Sequence, residues 1–185
     1  MKIRNLLPIG VVMFLVTSCS SIQVTYDYDK DVNFDQLKSY AFFKDGIDQV
    51  KVNDMDKKRI LNAIDQTLES KGFAKASSNP NFLINIYTKA EKQVNIHNNN
   101  NGFYGPYGYY GWGWGPYWGP TTTVSTSIEG TLYIDILDTQ KKTLVWQGIG
   151  TGYINKDANP EKKEQRIKEM VEKILAKFPP GKLKK

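Results

Sequence analysis

Two alternating segments in the second half of this 185-residue chain constrain its fold more than any other feature. Residues 121–137 carry apolar side chains at one parity, namely Val124, Ile128, Leu132, Ile134 and Ile136. A period of two over this length indicates a long β-strand, and Gly130 within it predicts a β-bulge. The polar residues 138–142 predict a turn into a second strand over residues 143–154, so that the two strands form a β-hairpin.

Three further strands are predicted before this hairpin. They cover residues 22–28, residues 37–43 and a segment that begins at Asn81, and the first and third of them alternate clearly between apolar and polar side chains. In the last strand of the chain, we expect Trp146 to be buried against the helices, on a face that it shares with Leu144.

Two helices complete the predicted domain. The first begins at the N-cap Asn53 and ends at Gly72, which suits a left-handed C-cap. The second begins at Asn159-Pro160 and is stopped by Pro179. Each helix has one apolar stripe, formed by Ile60, Leu61, Ile64 and Leu68 in the first and by Ile167, Met170, Val171, Ile174 and Phe178 in the second. The order β-β-α-β-β-β-α predicts an α+β fold, in which an antiparallel β-sheet of about five strands carries both helices on one face.

The N-terminus has the layout of an export signal. Lys2 and Arg4 precede an apolar stretch over residues 6–16, which as a helix is about 16 Å long and too short to span a bilayer. Val16-Thr17-Ser18 leads directly into Cys19, the only cysteine of the chain, and this resembles the bacterial lipobox. The resemblance implies that residues 1–18 are a cleaved lipoprotein signal peptide and that Cys19 is the lipidation site, carrying acyl chains such as palmitate. The alternative is an ordinary signal peptide followed by a chance cysteine.

Removal of this signal leaves residues 19–185, enough for a single domain. By analogy with the lipoprotein class, Ser20 after the cysteine favours the outer membrane, and the lack of an acidic cluster after Ser21 favours the periplasmic side. The net charge of +6 is concentrated in residues 160–185, which hold nine Lys or Arg against four Glu. This concentration of charge indicates either a solvated helix face or a surface attracted to anionic lipid head groups. We expect no nucleic-acid partner for an exported chain.

Catalytic chemistry finds little support in the sequence. The lone histidine, His97, stands in a run of asparagines, and no thiol is left once Cys19 carries lipid, so we expect no enzyme activity, no metal site and no cofactor. Asp27 and Asp135 are predicted to be solvated acids on the outer sheet face. The alternating glycines 148, 150 and 152 lack the spacing of a dinucleotide fingerprint and instead predict a surface on which a helix or a large side chain packs closely.

Residues 97–120 form the most unusual segment. Nine aromatic residues lie between Phe103 and Trp118, separated by glycines and prolines, and no charged side chain occurs from Gln93 to Ile128. This composition predicts a long Gly/Tyr/Trp-rich loop between two strands. Its candidate contact residues are Tyr107, Tyr109, Tyr110, Trp112, Trp114, Tyr117 and Trp118. Their amphipathic rings suit a membrane interface, a sugar face or another copy of the loop, while the alternative is an insertion that folds partly onto its own sheet.

Several short motifs together resemble an uncharacterised family of bacterial envelope lipoproteins, the domain of unknown function 4136 family. They are Tyr26-Asp27-Tyr28-Asp29, Asn33-Phe34, residues 37–42, residues 130–138, residues 144–148 and residues 174–180. The match covers nearly all of the chain after the signal. The resemblance implies an envelope lipoprotein of about this size and supplies no catalytic residues.

The sequence therefore favours a lipid-anchored protein of the outer membrane, with a non-catalytic structural or binding domain that faces the periplasm. The expected partners are the membrane, through lipid on Cys19, and an envelope protein or a glycan. An alternative is a glycan- or peptidoglycan-binding module that uses the aromatic loop, and an envelope hydrolase is a third hypothesis.

Overall fold

The structure is a computed structural model that describes residues 22–98, 122–155 and 157–181. The signal segment 1–18, Cys19 and all seven candidate contact residues of the aromatic loop lie outside the described residues. The strands are β1 (Gln23–Tyr28), β2 (Ser39–Phe42), β3 (Ala74–Lys75), β4 (Phe82–Asn98), β5 (Thr122–Asp138) and β6 (Thr143–Ile154). The helices are α1 (Lys44–Asp48), α2 (Asp54–Ser70) and α3 (Pro160–Leu175), and a 3-10 turn spans Phe34–Gln36.

The fold is α+β, as predicted, but the sheet of the described residues has six strands rather than five, in the order β1-β6-β5-β4-β2-β3. The pairs β1·β6, β6·β5 and β5·β4 are antiparallel, whereas β2 runs parallel to both β4 and β3. A fully antiparallel sheet was therefore the wrong prediction at this edge. The additional strand β3 has only two residues, and its pairing is extended by the hydrogen bond from Ala76 N to Tyr40 O (2.8 Å). Two residues are too few to produce an alternating pattern.

The predicted N-caps of both long helices and the predicted C-terminal end of α2 are confirmed, but α3 ends at Leu175 rather than at Pro179, so Phe178 lies beyond the helix. The side chain of Asn53 accepts a hydrogen bond from Asp56 N, and that of Asn159 accepts one from Lys162 N (both 2.9 Å). Gly72 has a φ of +86°, the left-handed conformation that a C-cap glycine adopts. The five-residue helix α1 was not predicted, because it is too short to show a helical stripe. It follows β2 and contacts β4 where β2 no longer pairs with it.

The hydrophobic core lies between α2, α3 and one face of the sheet. Its fully buried side chains are Tyr40, Ile64, Leu68, Phe82, Ile84, Ile134, Ile136, Trp146, Val171, Ile174, Leu175 and Phe178. Trp146 is 1% exposed, and its ring lies 5.2 Å from that of Phe178 between centroids. The predicted burial of Trp146 is confirmed.

The β-bulge is not at Gly130, which pairs in register with Ala90 and Gly152. The register instead shifts between Ile136 and Leu137, which leaves Val145 as an extra residue on β6. Because of this shift, the side chains of Val145 and Trp146 both point into the core, whereas Leu144 is 48% exposed. The prediction that Leu144 and Trp146 share a face was therefore wrong.

The alternating glycines of β6 form the surface on which α3 packs, as predicted. A Cβ atom at Gly150 would lie 2.7 Å from Cδ1 of Ile174, and one at Gly152 would lie 3.2 Å from an Arg166 guanidinium nitrogen. Side chains at these positions would push α3 away from the sheet. The glycines therefore serve helix packing.

Candidate functional site

One face of the sheet remains open in the described part of the chain. It is formed by alternate residues of β4, β5, β6 and β1 that point away from α2 and α3, and we call it the open face. Of the described helices, α1 reaches this face at its edge, where Gly46 lies directly against the side chain of Asn85. The open face is therefore a sheet surface that α2 and α3 leave uncovered.

A row of polar side chains crosses the centre of the open face. The strand registers pair Asn85 with Asp135, Asp135 with Gln147, and Gln147 with Asp27, and we call these four residues the polar row. Gln147 Nε2 donates a hydrogen bond to Asp135 Oδ1 (2.8 Å), and the Asn85 side chain is also hydrogen-bonded to Asp135. The row therefore presents amide and carboxylate groups side by side on four neighbouring strands.

Asp135 is half-buried, so the prediction of a solvated acid was wrong for this residue, whereas Asp27 is exposed as expected. Burial raises the pKa of the Asp135 carboxyl group, and the hydrogen bonds from Gln147 and Asn85 oppose this effect only in part. The cause of the burial is the position of Asp135 on a central strand, between amide side chains on both neighbours. The side-chain oxygen of the neighbouring Asn85, Oδ1, is buried against α1 and has no hydrogen-bond partner among the described residues.

The raised pKa of Asp135 predicts how stability depends on pH. The folded chain binds this proton more tightly than the unfolded chain, so the stabilisation is complete below the unfolded pKa and is lost as pH rises through the folded pKa. Asp135→Asn cannot ionise and can still accept the hydrogen bond from Gln147. We therefore expect the free energy of unfolding of Asp135→Asn, relative to wild type, to rise as the pH increases from below the ordinary Asp pKa through the raised pKa of folded Asp135, and then to level off. Urea unfolding across this range measures the difference, and a difference that stays flat or falls would contradict the prediction.

Two tyrosines lie beside the polar row on the same face. Tyr87 and Tyr133 are paired across β4 and β5, with their ring centroids 5.6 Å apart, and Tyr87 is 55% exposed. We call them the tyrosine pair. An exposed aromatic pair offers apolar ring faces for stacking and hydroxyl groups for hydrogen bonds. The pair could not be predicted from the sequence, because alternation gives the face of each residue but does not give the register between strands.

The hairpin of β4 and β5 extends beyond the rest of the sheet. β6 ends at Ile154 opposite Ile128, but β4 and β5 remain paired as far as Asn98 and Thr122. We call residues 93–98 and 122–127 the β-arm. His97 and Asn98 belong to β4, so the segment that connects the strands is shorter than the predicted loop 97–120 at its N-terminal end. All seven candidate contact residues lie in residues 99–121, which join the two strands of the β-arm.

The described residues offer no cluster of three or more His, Cys, Asp or Glu side chains that could hold a metal ion. A surface hollow between α2 and α3 is lined by Met55, Lys58, Gln66 and Lys168 among others, and Glu164 supplies its one carboxylate. Over the same part of the chain, no helix combines the length and the apolar character needed to cross a bilayer. The polar row and the tyrosine pair therefore form the candidate site of the described structure.

Comparison with solved structures shows the fold in one other protein and a weaker similarity to a second. A PDZ domain protein from Parabacteroides distasonis is similar over 87% of this chain, with a TM-score of 0.51 and 14% identity, but this chain spans only 37% of that protein. Two structures of a PelC dodecamer from Paraburkholderia phytofirmans are similar over 84% of this chain and 95% of theirs, at TM-scores of 0.47 and 0.46 and identities of 10% and 11%.

Comparison of sequences gives a more specific result. No curated protein sequence matches the chain. The family model described as Domain of unknown function (DUF4136) matches residues 24–180, which is most of the chain. The protein therefore belongs to the DUF4136 family.

Proposed function

We propose that this protein is a lipid-anchored component of the cell envelope whose domain is a non-catalytic structural or binding module. The observation that carries the proposal is the position of Cys19, at the end of an apolar export segment and four residues before β1 begins at Gln23. Lipid on Cys19 would hold the sheet close to a membrane surface, with the open face available to a partner. Ser20 favours the outer membrane for the anchored domain, and the lack of an acidic cluster after Ser21 favours its periplasmic side.

Two or three acyl chains are needed for this anchoring. One chain gives marginal and reversible membrane binding, whereas two or more give stable attachment, since each buried methylene contributes about 0.8 kcal/mol. A thioether-linked diacylglycerol on Cys19 together with an acylated amino group would meet this requirement.

Cys19→Ser is expected to abolish lipidation. The serine hydroxyl is not the thiol that forms the thioether, so the variant should remain an unprocessed precursor and should take up no labelled palmitate. A matched control is the double variant Cys19→Ser with Ser21→Cys, which restores a thiol two residues away from the lipobox position. Gel mobility, palmitate label and membrane fractionation in cells are the readouts. Undiminished label in Cys19→Ser would refute the lipid anchor.

A second candidate function is glycan binding. The sequence suggested it for the aromatic loop, and the open face supports it independently, because the tyrosine pair lies directly beside the polar row. Sugar rings stack their C–H faces on aromatic side chains, and their hydroxyl groups hydrogen-bond to amides and carboxylates. Peptidoglycan and envelope polysaccharides are the glycans within reach of a periplasmic domain.

Cosedimentation with purified peptidoglycan tests the second candidate. Tyr87→Ala is expected to weaken binding by about fivefold to tenfold, the effect of losing one aromatic contact. Tyr153→Ala is the matched control, since Tyr153 is 54% exposed on the same face but lies away from the polar row. Equal binding by wild type and Tyr87→Ala would show that the tyrosine pair is not the glycan site. Loss of binding in both Tyr87→Ala and Tyr153→Ala would show that binding is not specific to the tyrosine pair.

A further inference from the structure

Two large apolar side chains are exposed at the end of the sheet from which the β-arm projects. Tyr153 is 54% exposed and Ile154 is 45% exposed, and they are the last two residues of β6. Being adjacent in a strand, they point to opposite faces of the sheet. Exposed apolar residues on both sides of one end indicate contact made by that end as a whole, rather than by a single face.

The N-terminus of β1 lies at the same end. Gln23 pairs with Thr151, and the side chain of Ile22 lies beside Gly152, which directly precedes Tyr153. Cys19 is three residues before Ile22, so their Cα atoms are at most about 11 Å apart. The opposite end of the sheet is much farther away, since the eight residue-to-residue steps from Gly130 to Asp138 span about 27 Å. A lipid on Cys19 is therefore attached close to Tyr153 and Ile154.

The remaining groups at this end are compatible with a lipid surface. The β-arm, residues 93–98 and 122–127, continues about 20 Å beyond β6 and contains no Asp, Glu, Lys or Arg. Several charged side chains border this segment: Lys89 forms a salt bridge with Glu91, and Gln93 Nε2 donates a hydrogen bond to Glu129 (3.2 Å). Lys92 directly precedes the segment, and a cationic side chain at that position suits anionic lipid head groups. Tyrosine is a residue that favours the membrane–water interface, and uncharged segments approach the interface at low cost.

We infer that the end of the sheet carrying the β-arm faces the bilayer, with Tyr153 and Ile154 in contact with the lipid head-group region. This inference rests on the proposed lipid anchor and adds the orientation of the domain. The turn at residues 138–142 then points away from the membrane. The open face is roughly perpendicular to the bilayer surface, where it is accessible to a partner in the periplasm.

Fluorescence of labelled single-cysteine variants tests the orientation. Tyr153→Cys and Ile154→Cys, made in the full chain, each receive an environment-sensitive label, since the thiol of Cys19 is taken up by lipid. Gln140→Cys, exposed in the far turn, is the matched control. The purified lipoproteins are reconstituted into phosphatidylethanolamine–phosphatidylglycerol vesicles with a nitroxide on the lipid head group. Labels at 153 and 154 should shift to the blue and lose most of their emission, while the label at 140 keeps its emission.

The mass of each reconstituted protein separates the two ways of failing. If Cys19 carries lipid and the label at 140 is quenched as strongly as those at 153 and 154, the anchor stands and the inferred orientation is wrong. If Cys19 carries no lipid, the proposed anchor fails and the orientation that depends on it fails as well.

Discussion

Trp146→Ala is expected to lower the free energy of unfolding by about 3–5 kcal/mol, the range for removal of a large aromatic side chain from a core. Trp146 is 1% exposed and packs against Phe178, between the sheet and α3. The indole of Trp146 lies directly over Gly148, which has no side chain to fill the cavity that removal of the indole would leave. For a domain of this size the melting temperature should fall by about 10 °C or more.

Two further variants identify packing as the cause. Leu144→Ala changes a side chain of the same strand that is 48% exposed, so its melting temperature should remain near that of wild type. Trp146→Phe should cost much less than Trp146→Ala, because the indole Nε1 has no hydrogen-bond partner among the described residues and its loss breaks none of them. Circular dichroism melts provide the measurement. A melting temperature of Trp146→Ala within a degree or two of wild type would contradict the assigned core.

Replacement of residues 99–121 by an Asn-Gly turn is expected to leave stability nearly unchanged and to remove most membrane or glycan binding. Asn98 and Thr122 are already paired across β4 and β5, so a two-residue turn can close the hairpin in register. Loop-closure entropy changes slowly with loop length, and the shorter loop carries no penalty. The replacement removes Trp112, Trp114 and Trp118 together with the four candidate tyrosines.

Melting and cosedimentation of the soluble domain lacking Cys19 measure both effects, with liposomes and peptidoglycan as separate targets. A control domain that also lacks Cys19 and keeps residues 99–121 at their full length, but with the seven candidate aromatic residues changed to serine, should lose binding to the same extent as the shortened chain. A large fall in melting temperature would show that the segment belongs to the core. Unchanged stability with unchanged binding to both targets would remove the segment as a contact region.

The long elements of this fold could be predicted from sequence because each carries its own local signal. The helix caps at Asn53 and Asn159 place a side-chain oxygen over free amide groups, and the pattern is visible in the residues themselves. The strands of the β5–β6 hairpin are long enough for alternation to identify both of them as strands. α1 and β3 carry no such signal. The five residues of α1 are held mainly by contact with β4, and the two residues of β3 are held mainly by pairing with β2.

The position of the bulge could not be predicted for a different reason. Glycine tolerates bulge geometry, which made Gly130 the natural prediction, but a bulge arises where the buried pattern of one strand falls out of phase with its partner. The adjacent apolar residues Val145 and Trp146 were that signal, and both are buried because Val145 is the extra residue. A single strand does not reveal this, since the phase of the partner strand is also needed.

The candidate site was predictable only in part. Parity placed Asp27 and Asp135 on the outer face of their strands, and the structure confirms this. The neighbours of Asp135 depend on cross-strand register, so neither its hydrogen bond with Gln147 nor its partial burial could be derived from one strand alone. The same register brings Tyr87 and Tyr133 together, and no local pattern in either strand indicates that contact.

The N-terminal peptide of the protein purified from membranes tests the lipid anchor most directly. Mass spectrometry should show that the mature chain begins at Cys19 and that this residue carries a diacylglycerol thioether and an acylated amino group. Residues 1–18 should be missing from the mature protein. A mature chain that begins at another residue, or one in which Cys19 carries a free thiol and a free amino group, would contradict a lipid-anchored protein.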